Sequence, residues 1–424
     1  MSRRVVITGL GVVAPNGVGL DVFTHAIKNG VSGIKKDLEL ERLKFSCQIS
    51  GKPEISTDIA LNYFTELELR NFNSSGILYG MIAGVDAWED AGLTIEANEE
   101  PDWDSGIIFG TGTSGIDKFR ESIYKIDDFQ TRRLGSTAVA QTMNSGISAY
   151  LGGKLGLGNQ VTTNSSACTT GTESIMMAYD RIQSGHAKRI LAGSTSDSGP
   201  YIWGGFDAMR VCTFKHNDSP EQGSRPMSAS ASGFVPGSGA GALVVEDLET
   251  ALARGARIYA EILGGNINSG GQRGLGTMTA PNPIAVQKCI TTAMENAGIQ
   301  PSAIDAINGH LTATSKDSLE IQNWSDALGR SGIDFPYINS LKSMVGHCLS
   351  GAGSIESVAT VLQLHQGFIF PNINTEDLHP EIMEIIDSSR IPQQLLTKEL
   401  NIIAKASFGF GDVNGCVIFK KYNT

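Results

Sequence analysis

The six cysteines of this 424-residue chain, Cys47, Cys168, Cys212, Cys289, Cys348 and Cys416, are widely scattered, and no two form a C-x-x-C pair. That spacing signals neither a zinc site nor a disulfide scaffold, and it fits reduced thiols in a cytoplasmic protein. No uninterrupted apolar run reaches the roughly 20 residues that a membrane-spanning helix needs. The apolar opening from Val5 to Val13 is short, interrupted by Gly9 and Gly11, and without a cleavage site, so it reads as a buried strand rather than a signal peptide. Basic runs are missing too. The 33 Lys and Arg face 44 Asp and Glu, a net charge of −11, which argues against a nucleic-acid partner. Gly9-Leu10-Gly11 reads as a glycine-rich turn, but position 14 is Ala where a dinucleotide fingerprint would have glycine.

Apolar residues and glycine are plentiful. Hydrophobic residues make up 41% of the chain, enough for a large core, and 50 glycines imply many tight turns and close backbone approaches. Residues 20–29, 75–92, 139–151, 247–254 and 283–297 carry helical spacing. Short β-branched or glycine-ended runs at 4–9, 106–113, 189–193, 240–246, 258–265, 304–310, 402–411 and 415–420 read as strands. The alternation restarts near residue 255, which predicts an α/β protein with an N-terminal half over 1–254 and a C-terminal half over 255–424.

The chain is organised around Thr163-Asn164-Ser165-Ser166-Ala167-Cys168-Thr169-Thr170-Gly171, followed by a helical run from Ile175. Small side chains permit a sharp turn, and a helix N-terminus offers free N–H groups and positive dipole potential. That setting favours a thiolate and predicts a lowered pKa for Cys168. On local sequence alone Cys168 is either a nucleophile on a strand-to-helix turn or a buried cysteine that only packs. Ser343-Met344-Val345-Gly346-His347-Cys348-Leu349-Ser350-Gly351 mirrors this turn and opens a helix reaching about His365. Three further loops carry reactive groups: His310-Leu311-Thr312-Ala313-Thr314, Lys342 to His347 with Glu356 on the helix beyond, and Phe408-Gly409-Phe410-Gly411. Taken singly, each has a plain structural alternative, as a surface histidine, a solvated lysine or a simple turn.

Taken in order, S-A-C-T-T-G, G-H-L-T-A-T, K-S-M-V-G-H and F-G-F-G resemble the motifs of the β-ketoacyl-acyl carrier protein synthases, in their elongating Cys-His-His branch. The resemblance runs from R-V-V-I-T-G-L-G at Arg4 to the final strand. It implies a thiolase-like fold, with two related halves stacked in α-β-α-β-α layers. It also implies decarboxylative Claisen condensation of a Cys-bound acyl chain with malonyl-carrier protein, with no metal or redox cofactor. By resemblance, Cys168 is the nucleophile, and its backbone N–H and that of Phe410 form the oxyanion hole. His310 and His347 stabilise the enolate, Lys342 tunes the field and pairs with Glu356, and Phe408 and Phe410 belong to the gating loop. Thr279, Thr312 and Thr314 match positions lining the pantetheine tunnel, and Thr113 a position bordering the acyl pocket. Arg132, Arg133 and Arg210 match basic positions that meet an acyl carrier protein. The implied assembly is a homodimer, or a heterodimer with a related chain-length-factor subunit.

Several residues depart from that pattern. Leu311 stands where H-G-T-x-T has glycine, and Asp317 and Glu320 each sit one residue closer to the histidine than usual, leaving their roles open. Asp412 replaces a glycine after F-G-F-G, which predicts a stiffer, charged gating loop. The segment from Met227 to Gly239 is rich in Ser and Ala where a charged string is usual, and it resembles polyketide-type relatives. These departures favour a specialised polyketide or aryl-polyene-type pathway over housekeeping fatty-acid elongation. A thiolase proper would need a second cysteine in the C-terminal glycine loop, whereas Cys416 lies in a strand-like run and reads as a packing residue. A non-catalytic chain-length subunit would typically lack the nucleophile.

Overall fold

The computed structural model describes residues 3–95 and 99–423. Ten strands build the main sheet: β1 (Val5–Ala14), β2 (Ser105–Thr111), β3 (Val161–Thr162), β4 (Arg189–Ser196), β5 (Gly239–Asp247), β6 (Ala260–Ser269), β7 (Ala306–Asn308), β8 (Tyr337–Asn339), β9 (Ile402–Gly409) and β10 (Val413–Lys421). An eleventh short strand, Gly17–Val18, folds back on β1. The spatial order is β8-β7-β9-β10-β6-β1-β5-β4-β2-β3. Read outward from the centre, β1-β5-β4-β2-β3 and β6-β10-β9-β7-β8 are the same arrangement. Each has two antiparallel pairings followed by two parallel ones. The halves join where β1 meets β6 over three residue pairs, Val5–Ile262, Val6–Glu261 and Ile7–Ala260.

Helices complete five layers. Helices α1 (Ser75–Asp90) and α2 (Gly146–Leu155) cover the outer face of the first half. Helices α4 (Pro283–Ala297) and α5 (Asp317–Leu328) cover the outer face of the second. Between the halves lie α3 (Thr170–Gln183) and α6 (Ala352–Gln366). The two central helices pack backbone to backbone, because a Cβ on Gly171 would strike the Ser354 amide and one on Gly353 the Thr172 amide. Related hydroxyl pairs tie each central helix to a strand: Ser354 to Ser194 at 2.7 Å and Thr172 to Ser407 at 2.8 Å.

Three local expectations change. The Gly9-Leu10-Gly11 segment is not a turn: β1 runs straight through it, and a Cβ on Gly9 or Gly11 would collide with the carbonyls of Ala87 or Ala83 in α1. These glycines serve close helix–strand approach. The helix expected over 139–151 is two, Ala138–Thr142 and α2, because the chain turns extended at Met143. The helix expected to open at Ser343 is likewise divided into Lys342–Val345, a 3-10 turn at Leu349–Gly351, and α6. Cys416 is fully buried in the core of the second half, as a packing residue.

Candidate active site

The two central helices begin in matched turns. A 3-10 turn at Ala167–Thr169 precedes α3, and one at Leu349–Gly351 precedes α6. Each is entered through a non-glycine residue in left-handed backbone, Ala167 at φ 50° and Leu349 at φ 49°. Such conformations cost about 1–3 kcal/mol and persist where surrounding structure enforces them. The second position of the first turn is Cys168, and of the second turn Ser350. The mirrored chemistry is thus offset, with His347 entering from the residues just before its turn.

Cys168, His310 and His347 are all buried, and one donor atom from each lies within 4.8 Å of the others. The Nε2 of His347 is 3.1 Å from Cys168 Sγ, and its Nδ1 accepts the backbone N–H of Leu349 at 3.2 Å. That network assigns the imidazole proton to Nε2, so His347 is a donor aimed at the sulfur. The Phe234 and His347 rings meet edge to face at 5.2 Å, and the His310 and His347 rings do so at 5.4 Å. Burial, with Lys342 next, holds both histidines well below the usual imidazole range; His347 also adds to the effect on His310, and Lys405 to that on each. Both are therefore neutral at pH 7.

The thiol is shifted opposite to the sequence expectation. Burial pushes Cys168 up to about 11, outweighing the positive charge of Lys342 and the backbone N–H groups of Phe410 and Cys168 itself, which pull it down. Those two N–H groups converge on the sulfur, the arrangement an oxyanion hole requires. The donors are of the types that bind a soft metal, but the ammonium charges of Lys342 and Lys405, which oppose protonation of both histidines, equally oppose a cation here.

The cavity over Cys168 is lined by His310, His347, Phe408 and Phe410, and by Thr279, Thr312 and Thr314, so sequence positions far apart meet at one opening. Phe206, Val211 and Phe234 add an apolar wall that sequence reasoning did not single out. Lys342 and Glu356 do not line the cavity; they form a buried ion pair behind the histidines. A third member of this group was also missed: Lys405, fully buried on β9, lies 2.6 Å from the other Glu356 oxygen. Its signal in the sequence is a charge inside the apolar run Ile402-Ile403-Ala404-Lys405-Ala406, which demands a buried partner.

Asp317 and Glu320, whose roles the sequence left open, line the cavity and hold the backbone of the loop that carries His310. Glu320 Oε1 and Oε2 accept the N–H groups of His310 and Leu311, each at 2.7 Å. Asp317 accepts those of Thr312, Ala313 and Met227. Burial raises Asp317 to about 6 and Glu320 to about 7, against the pull of these same N–H groups. The loop needs this grip because Leu311 and Ala313 adopt φ 23° and 62°.

Thr113 does not line the cavity: β2 ends at Thr111, and Thr113 lies beyond it, exposed, with its carbonyl accepting the Thr111 hydroxyl at 2.6 Å. Arg132, Arg133 and Arg210 are exposed and, among the described residues, form no ion pair. Arg210 adjoins Val211 of the cavity wall. No described helix is long and apolar enough to cross a membrane.

Residues 2–251 match the N-terminal domain and residues 259–376 the C-terminal domain of the β-ketoacyl synthase family. The chain is 33% identical to the chloroplastic 3-oxoacyl-[acyl-carrier-protein] synthase I of Arabidopsis thaliana, over 99% of this chain and 87% of that protein. Among solved structures it resembles a type II PKS ketosynthase in complex with its acyl-carrier protein and bound to the hexaketide (28% identity, TM-score 0.87, full coverage of both chains). It also resembles the ishigamide ketosynthase/chain length factor (25% identity, TM-score 0.88, full coverage of both chains). With its paired α/β halves and buried Cys-His-His cluster, the chain belongs to the β-ketoacyl synthase family.

Proposed function

We propose that this chain condenses a Cys168-bound acyl group with a malonyl thioester, both delivered on the phosphopantetheine of an acyl carrier protein. The observation that carries this reading is His347, whose Nδ1 is occupied by the Leu349 N–H so that its Nε2 proton points to Cys168 Sγ. Cys168 attacks the acyl thioester, its S–C bond forms, the carrier's C–S bond breaks, and the thiol proton leaves with the carrier thiol. The oxyanion accepts hydrogen bonds from the Cys168 and Phe410 N–H groups; losing one such donor typically costs ~3 kcal/mol. The malonyl C–C bond then breaks and CO₂ departs. Neutral His310 and His347 donate to the enolate oxygen. The enolate carbon attacks the acyl carbonyl, the new C–C bond forms, and the Cys168 C–S bond breaks. One proton from solvent restores the thiol.

Thr279, Thr312 and Thr314 give the pantetheine arm polar contacts along the cavity. Arg132, Arg133 and Arg210 offer unpaired charge to an acidic carrier. The open edge of β3 and the exposed Phe119, Tyr124, Phe129 and Val139 support pairing with a second copy or a chain-length-factor subunit. A specialised polyketide pathway is supported by Leu311, Asp412 and the Ser-rich 227–239 segment. The 33% identity to a 3-oxoacyl synthase favours fatty-acid elongation as the second reading.

Acyl-loaded carrier proteins of graded chain length, incubated with the chain and with Cys168→Ala, test the proposal. Intact mass is expected to show acylation of the first only, and His310→Ala is expected to keep acylation while CO₂ release from malonyl-carrier falls about 100-fold. Absence of acylation across all chain lengths would overturn it.

A further inference from the structure

Behind the cavity, Glu356 is 1% exposed and carries an ammonium group on each oxygen: Lys342 on Oε1, and Lys405 on Oε2 at 2.6 Å. Both lysines are themselves buried, at 1% and 0% exposure. One carboxylate thus answers two ammonium groups, in a setting where an unmatched buried charge is costly. A single pair would satisfy Lys342 and Glu356; Lys405 brings a second amine, which burial draws below the usual lysine range against the pull of Glu356, and whose positive charge that pair does not need.

The position of Lys405 ties that charge to the reacting groups. Its Nζ donates to Ser407 Oγ at 2.9 Å and to the carbonyl of Ala406. Ser407 bonds the Thr172 hydroxyl at 2.8 Å, in the first turn of α3, directly after the Cys168 turn. Three residues along the same strand is Phe408, which lines the cavity and packs against His310 at 6.1 Å between rings. Lys405 does not itself reach the cavity.

We propose that Lys405 is a positioning residue of the condensing site, whose ammonium group leaves the buried Lys342–Glu356–Lys405 triad with a net positive charge that keeps His310 and His347 neutral and donating. This rests on the condensing function proposed above. A positive charge disfavours an imidazolium nearby and favours an anion, so it opposes the one protonation that would spoil a hydrogen-bond donor set tuned for an enolate. Groups that face Lys405 are Lys342, Glu356, Glu320 from α5, Cys416 from β10, and the two histidines. Burial is the larger cause of the low histidine range and the lysine charges add to it, so losing Lys405 raises both imidazoles while leaving them below the usual range. Glu320, which burial raises to about 7, titrates closer to neutral pH and is controlled with Glu320→Gln.

The test compares wild type with Lys405→Met, Lys405→Gln and the charge-keeping Lys405→Arg, each checked for cooperative melting. Two readouts are followed against pH: CO₂ release from malonyl-carrier, and the histidine ring ¹⁵N shifts, which report protonation without any turnover. In the neutral variants the imidazoles are expected to titrate at higher pH than in wild type, and the acid limb of CO₂ release to move up with them, by about one pH unit from its wild-type position. Cys168 acylation at pH 8 is expected to change by less than threefold, and Lys405→Arg to restore the wild-type limb. An unmoved imidazole titration in a folded neutral variant would overturn the proposal, as would failure of both neutral variants to fold, since an ion pair of the scaffold would then account for Lys405. Wild-type protein that neither acylates Cys168 nor releases CO₂ would instead sink the condensing function, and the ring shifts would still decide the role of Lys405.

Discussion

His347 Nε2 stands 3.1 Å from Cys168 Sγ with its proton directed at the sulfur. The resting site is therefore a neutral donor facing a thiol, since burial raises Cys168 to about 11 and lowers His347. Alkylation by iodoacetamide reads this directly. A thiol titrating near 11 exposes about tenfold more thiolate per pH unit below that value. The Cys168 alkylation rate is expected to climb through pH 7, 8 and 9 without levelling, as followed by intact mass. A plateau below pH 8 would show a preformed thiolate instead.

Glu320 grips the His310 loop through two backbone N–H groups, and burial raises it from the usual glutamate range to about 7. A raised carboxyl pKa means that the folded protein binds a proton the unfolded chain has released. Its stabilising contribution is full below the unfolded value near 4.5 and is lost as pH rises through about 7. The stability difference between wild type and Glu320→Gln should therefore shift against wild type between pH 5 and pH 8, by on the order of 1–3 kcal/mol. Urea melts of both proteins at the two pH values measure it, and a constant difference would contradict the assignment.

Leu311 occupies left-handed backbone at φ 23° while its side chain is completely buried in the second core. Truncation to Ala removes buried methyl groups at about 2–5 kcal/mol and keeps the backbone strain. Truncation to Gly removes still more side chain but releases strain of roughly 1–3 kcal/mol. Leu311→Gly is thus expected to unfold at higher urea than Leu311→Ala, the reverse of the order in a helix. Leu311→Ala matching or exceeding Leu311→Gly would show that the loop conformation is not strained.

The reacting trio was legible because Cys168, His310 and His347 each sit in a short run of small residues, where a reactive side chain has few packing reasons to be. The α/β alternation was legible for the same kind of reason, from the change of hydrophobic period along the chain. Other features depend on what surrounds a residue after folding. The thiol shift of Cys168 follows from burial that no local window displays. Gly9 and Gly11 looked like a turn because the helix that demands them, α1, is more than sixty residues away. Thr113 was placed at the acyl pocket by its position in the motif; in the chain it lies two residues beyond the end of β2, exposed and apart from the lining of the Cys168 cavity. Asp317 and Glu320 act through backbone N–H groups, which carry no mark in the side-chain sequence.

Asp412 was expected to stiffen the loop after Phe410, and its carboxylate shows how that can be tested. It is buried and spans two strands of chain: Oδ1 accepts the Asn282 N–H at 2.8 Å and Oδ2 that of Gln272 at 3.0 Å, while its own carbonyl accepts the Gly270 N–H at 3.0 Å. The Gly411 N–H reaches the Met278 carbonyl at 2.8 Å. The loop after Phe410 is in this way latched to residues 270–282, which carry Thr279 into the cavity wall. Asp412→Gly suits the backbone at φ 61° but leaves two N–H groups without their acceptor, at about 1–3 kcal/mol each where they stay dry. The expected outcome is faster hydrogen exchange confined to 270–282 and 408–414, with KM for carrier-bound malonyl substrate rising more than kcat falls. Because Asn282 also caps α4 through its side chain, accepting the Ile284 N–H at 3.1 Å, the first turn of α4 should loosen with the loop. Exchange unchanged in 270–282 would mean that the loop is held by its other bonds, and that Asp412 does not act as the latch.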